Sequence, residues 1–343
     1  MPTSPLPTFA MKLWRLFKSM SLGLLVSGLL LALVFYGYVT RPMMSERLPA
    51  RFEVAKGMGV STVAKNLTAQ GILQEPYGFT FLAFLTRKAT TIKPGFYAIP
   101  KGQSMWVLLK RMEAGDILYT SVTFIEGSRF EDALQRLQNN PDLKPILIDV
   151  GALKGKWGVN HLEGSIFPDT YRVPVGSNAF DILQMARQKM MMVLHQGWEN
   201  RDQDTPWQTP DEALIAASII EKETALPRER PLVASVIVNR LEKGMPLAMD
   251  PTVIYGLGDD FNGHLTKKHL SENQPYNTYM RLGLPPGPIC LPSKSAIDAA
   301  MHPAKTDWLY FVVDGQGGHV FSQSYAQHQR HVQEMLQRRK DQP

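Results

Sequence analysis

The first long pattern along the chain is apolar and unbroken. From Met20 to Thr40 no residue carries a charge, and Leu and Val dominate. About twenty apolar residues in a helix match the thickness of a bilayer core. Phe35, Tyr36 and Tyr38 suit the aromatic belt at its far side. A cleaved signal peptide is the rival, but the run is longer than a typical signal core. Bulky Phe-Tyr-Gly-Tyr also stands where a small-x-small cleavage site would be. Lys12, Arg15 and Lys18 before the run, against Arg41 and Arg47 after it, favour a cytoplasmic N-terminus. The pattern predicts a cytoplasmic tail over 1–19, a transmembrane helix over 20–40 and the rest of the chain outside the cytoplasm.

Beyond a linker from Met43 to about Ala50, one local pattern occurs three times. Phe52 to Gly57 leads into Val60 to Leu67, Tyr97 to Gly102 into Met105 to Met112, and Val122 to Gly127 into Phe130 to Leu137. Each is a short strand-like run, a Lys-Gly or Glu-Gly turn, and an amphipathic helix with apolar residues three and four apart. The unequal spacing between the units argues against a solenoid. After Thr120 the chain changes character. Helical runs over 121–200 are interrupted between Gly151 and Gly164, and the stretch His161-Leu-Glu-Gly-Ser-Ile-Phe-Pro-Asp-Thr-Tyr171 follows. Phe180, Leu183, Ala186, Met190, Val193 and Leu194 then predict a helix over Ala179 to Trp198. Residues 249–292, rich in Gly, Pro, Asn and Tyr, read as a long irregular stretch, which inside a compact domain is usually functional or mobile. Trp308 to Phe321 predicts a strand, a glycine turn and a returning strand, and a Gln-rich helix closes the chain. The fold class expected is α+β: an N-terminal transmembrane helix, a small α/β domain over 41–119, and a mixed α+β domain over 120–343.

The least ordinary pattern lies between Thr209 and Leu226. Thr209 can cap a helix, Pro210 suits its first position, and Glu212 completes a capping box. Ala213 to Ile220 keeps no face for water, which predicts a buried helix. Glu221 and Glu223 follow directly. At about 100° per residue, Glu221 falls near Leu214, Ala217, Ser218 and Ala225, and Glu223 points to nearly the opposite side. A carboxyl among small apolar neighbours has its charged form disfavoured, which suits a general acid. The alternative is a helix whose C-terminal turn is merely solvated. A second helix over Pro231 to Leu241, ending at Gly244, comes next.

Composition narrows the chemistry. With 44% hydrophobic and 20% charged residues the chain is of ordinary globular type. Of the formal charge of +6, half comes from the basic residues ahead of the apolar run, so nothing calls for nucleic acid. Cys290 stands alone, which excludes an intrachain disulfide, and it reads as a small apolar filler between Ile289 and Leu291. There is no Gly-x-Ser-x-Gly elbow, His-Glu-x-x-His, Walker loop or dinucleotide fingerprint. The histidines show no ligand spacing, and no metal is expected. Carboxylates remain, with Tyr and Asn around them, residues that suit carbohydrate. Glu163, Asp169 and Tyr171, beside a Gly and a Pro, have the composition of a functional loop. The alternative is a turn whose carboxylates cap neighbouring helices.

These residues also carry a resemblance. Leu162-Glu-Gly-Ser-Ile-Phe-Pro-Asp-Thr-Tyr171, Ala217-Ser-Ile-Ile-Glu-Lys-Glu-Thr224, Val238-Asn-Arg-Leu241, Asp250-Pro-Thr-Val-Ile-Tyr-Gly256, Tyr276-Asn-Thr-Tyr279 and Gly283-Leu-Pro-Pro-Gly-Pro-Ile289 resemble the endolytic murein transglycosylase family (MltG/YceG-like). The likeness extends through His302-Pro-Ala-Lys and Asp314-Gly-x-Gly-Gly-His319-x-Phe321. Ser165 departs from it, standing where the family often has an aromatic. Residues 41–119, with Gly71-Ile-Leu and Pro94-Gly-Phe-Tyr, resemble a LysM-like module, which implies binding to N-acetylglucosamine-containing glycans; a docking domain without sugar contacts is the alternative.

The family resemblance implies a lyase that cuts the β-1,4 bond between N-acetylmuramic acid and N-acetylglucosamine within peptidoglycan strands, leaving 1,6-anhydromuramyl ends. It implies Glu221 as the catalytic acid. Glu163, Asp169, Tyr171, Ser218, Asn239, Tyr276, Asn277 and Tyr279 are then expected on the substrate side, lining the site or orienting sugar and Glu221. The implied partners are glycan strands and the inner membrane, with peptidoglycan synthases as a further class. No cofactor is expected: pyridoxal, a label sometimes attached to the family, finds no Lys-centred pocket. A hydrolase of the same bond usually needs a second carboxylate about 5 to 9.5 Å away. Glu223 points away, whereas Glu163 or Asp169 could face Glu221. A muramidase-type hydrolase and a non-catalytic glycan-binding scaffold therefore stay open as alternatives.

Overall fold

A computed structural model describes residues 6–145 and 147–341 as a mixed α+β chain. It opens with α1 (Leu6–Thr40), whose stretch from Met11 to Thr40 is long and apolar enough to cross a membrane. The helix starts well before Met20, where the sequence pattern placed a tail. No Gly or Pro interrupts residues 8–22, and Lys18 lies over the Trp14 ring one turn earlier, 3.6 Å from its centroid. The basic residues are therefore part of the helix.

Two compact units follow from the packing: one runs to Thr120 and takes in 174–176, and the other comprises 121–173 and 177–343. The first holds β1 (Ala50–Val54), α2 (Val60–Ala69), α3 (Tyr77–Leu85), β2 (Gly95–Ile99) and α4 (Met105–Ala114). β1 and β2 pair antiparallel, with Phe52 opposite Tyr97. Both of these side chains are buried with Leu67, Phe79, Leu108 and Met112, and Val39 of α1 joins the same core. β3 (Tyr119–Thr123) and β4 (Thr170–Pro174) form a second two-stranded sheet. The repeated strand–turn–helix pattern is real in all three places. β1–α2, β2–α4 and β3–α5 (Phe130–Gln138) each turn on a left-handed glycine, Gly57, Gly102 and Gly127.

The second unit continues with α6 (Val150–Trp157), α7 (Ala179–Glu199), α8 (Pro210–Glu223), α9 (Arg230–Glu242), α10 (Asp250–Leu257), α11 (Lys267–Ser271), α12 (Lys294–Met301), the hairpin β5 (Tyr310–Val313) and β6 (His319–Ser322), and α13 (Tyr325–Asp341). α8 is its centre. The Thr209 hydroxyl accepts from the Glu212 amide at 3.3 Å, and the Glu212 carboxylate reaches back to the Gln208 amide at 2.6 Å. Every residue from Ala213 to Ile220 is buried. Val233, Ala234, Val236 and Ile237 of α9 and Ala296, Ile297, Ala300 and Met301 of α12 belong to the same core. An all-round apolar helix is stable here because helices enclose it, and each buried Leu or Ile contributes about 1.5–3 kcal/mol.

Two boundaries differ from the sequence pattern. α8 stops at Glu223, not Leu226, because Thr224 turns to an extended conformation. Its hydroxyl donates to the buried Glu229 carboxylate at 3.0 Å. Glu229 also accepts from the His319 amide at 3.0 Å, which pins the start of β6 to the end of α8. The stretch 249–292 is not wholly irregular either. Asp250 and Pro251 start α10, an acid and a proline in the first turn.

Candidate active site

The last turn of α8 carries Glu221 out of the core. Its carboxylate meets neither water alone nor the small apolar residues of its own helix. Oε1 accepts from the Arg230 guanidinium at 2.9 Å; Oε2 accepts from the Ser293 amide at 3.0 Å and the Ser293 hydroxyl at 2.5 Å. Arg230 also donates to the Ser293 hydroxyl at 2.6 Å, closing a triangle. The side chains of Glu221 and Arg230 are each only 7% exposed. The apolar surroundings expected for Glu221 are thus corrected: its long side chain passes Ala217 and Ser218 and reaches the start of α9 and the N-cap of α12. A carboxylate offers about four lone-pair sites. Three are engaged, which fixes its orientation and leaves one for a proton or a ligand hydroxyl.

Glu221 lines an open cleft of about 730 Å³ with Thr123 to Gly127, Pro168 to Thr170, Lys222, Ala225 and Arg230. The Gly127 turn is bound to the site from both sides. Its amide donates to the Leu291 carbonyl at 2.8 Å, and its carbonyl accepts from Lys222 Nζ at 3.2 Å. A Cβ at Gly127 would sit 3.7 Å from Glu221 Cγ at φ +71°, so glycine serves both the turn and the open approach. Asp169 shares this cleft. Lys189 is hydrogen-bonded to its carboxylate and holds it below the usual carboxylate range.

The other two acids of interest lie elsewhere. Glu163 lines a separate cavity of about 420 Å³ with His161, Ser165, Arg187, Leu214 and Pro288. Its carboxylate accepts from the Phe130 amide at 2.9 Å, and the Tyr255 hydroxyl lies 3.5 Å away. Burial pushes it up to about 7, against the pull of the Phe130 and Gly164 amides and Arg129. Glu223, on the opposite side of α8 from Glu221, is pushed up to about 8 by burial and by the Asp250 charge, with Arg240 opposing. The environment expected at Glu221 therefore belongs to its neighbours.

For Glu163 the consequence for stability has a definite sign. Between the ordinary value of 4.5 and about 7 the folded chain keeps a proton that the unfolded chain loses, so this group's contribution falls as pH rises through that window. Glu163→Gln removes the dependence. Urea unfolding is expected to show equal stabilities for wild type and variant near pH ~4 and a more stable variant near pH ~8, by at most about 3 kcal/mol. A difference that does not change with pH would contradict the assignment.

Most of the remaining expected site residues are spent on the fold. Tyr171 does not line the cleft: it is buried against Phe124 and donates its hydroxyl to the Phe167 carbonyl at 2.7 Å. Ser218 is fully buried, donating to the Ile215 carbonyl at 2.7 Å and accepting from the Ile289 amide at 3.0 Å. Asn239 donates to the Thr306 and Trp308 carbonyls at 2.8 and 2.9 Å. Buried Asn277 donates to three carbonyls, those of His269, Leu270 and Glu272. Tyr279 donates to Asp250 at 2.6 Å. Tyr276 packs against Tyr255 with the rings tilted, centroids 4.8 Å apart, near Glu163 rather than near Glu221. Polar groups buried in a Gly- and Pro-rich segment satisfy main-chain atoms that no regular element pairs. Cys290 is buried, with its Sγ 3.3 Å from the Ser218 carbonyl oxygen. Among the described residues no group of His, Cys, Asp and Glu converges on a metal-sized site.

The model of the YceG-like family matches residues 52–334. The chain belongs to the YceG-like family. Its relatives include a protein of Bacillus subtilis named endolytic murein transglycosylase, 27% identical over 81% of this chain and 82% of that protein. A protein of the same name from Streptococcus pneumoniae is 27% identical over 82% of this chain, which spans only 57% of the pneumococcal protein's length. A crystal structure of a YceG-like protein from Listeria monocytogenes superposes with a TM-score of 0.50 at 25% identity, covering 82% of this chain and 98% of that one.

Within this YceG-like chain, sequence patterns pointed to Glu221 but missed what holds it. Arg230 sits nine residues later across a tight turn, and Ser293 lies on another helix altogether, so no helical spacing links either to Glu221. Ser293 did carry a signal of its own, because it caps α12 by accepting from the Ala296 amide at 3.2 Å. Tyr255 and the Glu126–Gly127 turn were visible as parts of motifs but not as walls of a site.

Proposed function

We propose that the chain is a membrane-anchored endolytic peptidoglycan transglycosylase with Glu221 as its single proton-transfer group. One observation carries the reading: a carboxyl fixed by three donors with one free site lines an open cleft, in a chain whose relatives bear the name endolytic murein transglycosylase. With a muramyl residue in the cleft, Glu221 protonates the oxygen of the β-1,4 bond to N-acetylglucosamine. The muramyl C6 hydroxyl attacks C1 as that bond breaks, and Glu221 recovers the hydroxyl proton. The products are a 1,6-anhydromuramyl end and a free N-acetylglucosamine 4-hydroxyl, formed without water. Arg230 and Ser293 hold the carboxyl through both transfers. Gly127 keeps the approach open.

The same reading places α1 in the inner membrane with its N-terminus in the cytoplasm, and both folded units in the periplasm. Residues 41–119 act as the LysM-like, glycan-binding part, and cleavage of nascent strands beside the synthases ends their elongation. A second reading has a specific observation behind it. Asp169 shares the cleft with Glu221 and is held ionised by Lys189, so it could activate water in a muramidase-type hydrolysis. Purified full chain is expected to shorten isolated glycan strands into fragments of mixed length. Binding of the strands without any shortening would instead identify a scaffold.

A further inference from the structure

One apolar surface of the first unit is left uncovered by its own fold. α3 reads Tyr-Gly-Phe-Thr-Phe-Leu-Ala-Phe-Leu, without a charge. Phe79, Leu82 and Ala83 enter the core. Tyr77, Phe81, Phe84 and Leu85 recur at i, i+4, i+7 and i+8, a single helical stripe. They are 79%, 55%, 61% and 62% exposed. Scattered exposed apolar residues are ordinary, but a contiguous stripe marks an interaction surface.

Its position names the occupant. The Phe35 ring of α1 meets Phe81 edge-on, centroids 5.0 Å apart. The Tyr38 hydroxyl donates to Glu75, just ahead of α3, at 2.5 Å. A Cβ on Gly78 would come within 2.6 Å of the Tyr38 ring, so the two helices meet closely. Phe35 lies five residues before the end of α1, about 7 Å below it along the axis. α3 therefore touches α1 at the depth where a membrane span leaves the hydrocarbon. Arg41 directly follows α1, its guanidinium 4.7 Å from the Tyr38 ring centroid, and exposed Arg87 lies just beyond α3. Cations at this level suit lipid phosphates while their stems lie along apolar surface.

We infer that the exposed face of α3 is embedded in the headgroup–acyl boundary of the bilayer that α1 crosses, on the side where α1 ends. The occupant is lipid, and the inference rests on α1 being a membrane anchor. The first unit is then held against the bilayer at two elements instead of hanging from one helix, as an interfacial amphipathic helix would hold it.

The test uses the full chain in nanodiscs of phosphatidylethanolamine and phosphatidylglycerol, with a polarity-sensitive fluorophore on single introduced cysteines. Native Cys290 is buried, and wild type treated with the same fluorophore serves as its control. Labels at Phe84→Cys and Leu85→Cys are expected to shift to the blue and to be quenched by doxyl-labelled lipid as strongly as a label at Tyr36→Cys. A label at Lys65→Cys, exposed on α2, should respond only to aqueous iodide. If the α3 labels respond to iodide while Tyr36→Cys responds to lipid, the inference fails and the anchor stands. If Tyr36→Cys itself responds to iodide, both fail. Shielding of the α3 labels from both quenchers would mean that something other than lipid covers the face, and would also overturn the inference.

Discussion

Glu221→Gln is expected to lower strand cleavage by roughly 10²–10⁴-fold, the usual contribution of a positioned acid–base group. The effect should fall on turnover more than on glycan affinity, because the amide keeps the size of the carboxyl but cannot exchange a proton. The variant should remain folded, with some loss of stability. Three donors from Arg230 and Ser293 converge on the two oxygens of Glu221. Glutamine offers them one oxygen, so one donor loses its partner at about 1–3 kcal/mol. Near wild-type cleavage by a folded Glu221→Gln would remove Glu221 from the mechanism.

Arg230→Ala is expected to cost about 3–5 kcal/mol of stability, the loss typical of breaking a buried ion pair from one side. Both partners are only 7% exposed, so the Glu221 charge left behind gains little compensation from water. Arg230 also bridges to Ser293 at 2.6 Å, and its fork serves two acceptors at once. Lysine has no such fork, so Arg230→Lys should recover only part of the loss. Combining Arg230→Ala with Glu221→Gln should cost less than the two changes added, since the stranded charge is gone. Denaturant unfolding measures all of these, and an Arg230→Ala loss below about 1 kcal/mol would show that the pair is not what fixes Glu221.

What could be read from the sequence was what local spacing encodes. The cap at Thr209 and the unbroken apolar run behind it gave α8, and three Gly-turn patterns gave β1–α2, β2–α4 and β3–α5. The glycine turn before His319 gave the terminal hairpin. Spacing also separated Glu221 from Glu223 correctly, since different groups surround them: Arg230 and Ser293 hydrogen-bond the one, while the charges of Asp250 and Arg240 act on the other.

The surroundings of these carboxyls were not legible, because long-range packing decides them. Glu221 reaches past its apolar helix neighbours to a guanidinium, while burial pushes up Glu163, read as a loop acid, to about 7 and Glu223 to about 8. Asn277 looked like a ligand residue because polar side chains in irregular segments do so, whereas Tyr171 on β4 and Asn239 on α9 were expected there from the resemblance. The same irregularity leaves main-chain carbonyls without ladder partners, and these side chains satisfy them. α10 was hidden for a related reason: its Asp-Pro start is embedded among residues that usually signal turns.

The central claim is that one carboxyl carries the reaction and that water does not take part. The most direct measurement is mass spectrometry of the muramyl ends made when the purified full chain digests glycan strands. The account predicts 1,6-anhydromuramyl ends from the wild type and none from Glu221→Gln. Reducing muramyl ends in their place would contradict it and make Asp169, in the same cleft, the base of a hydrolase.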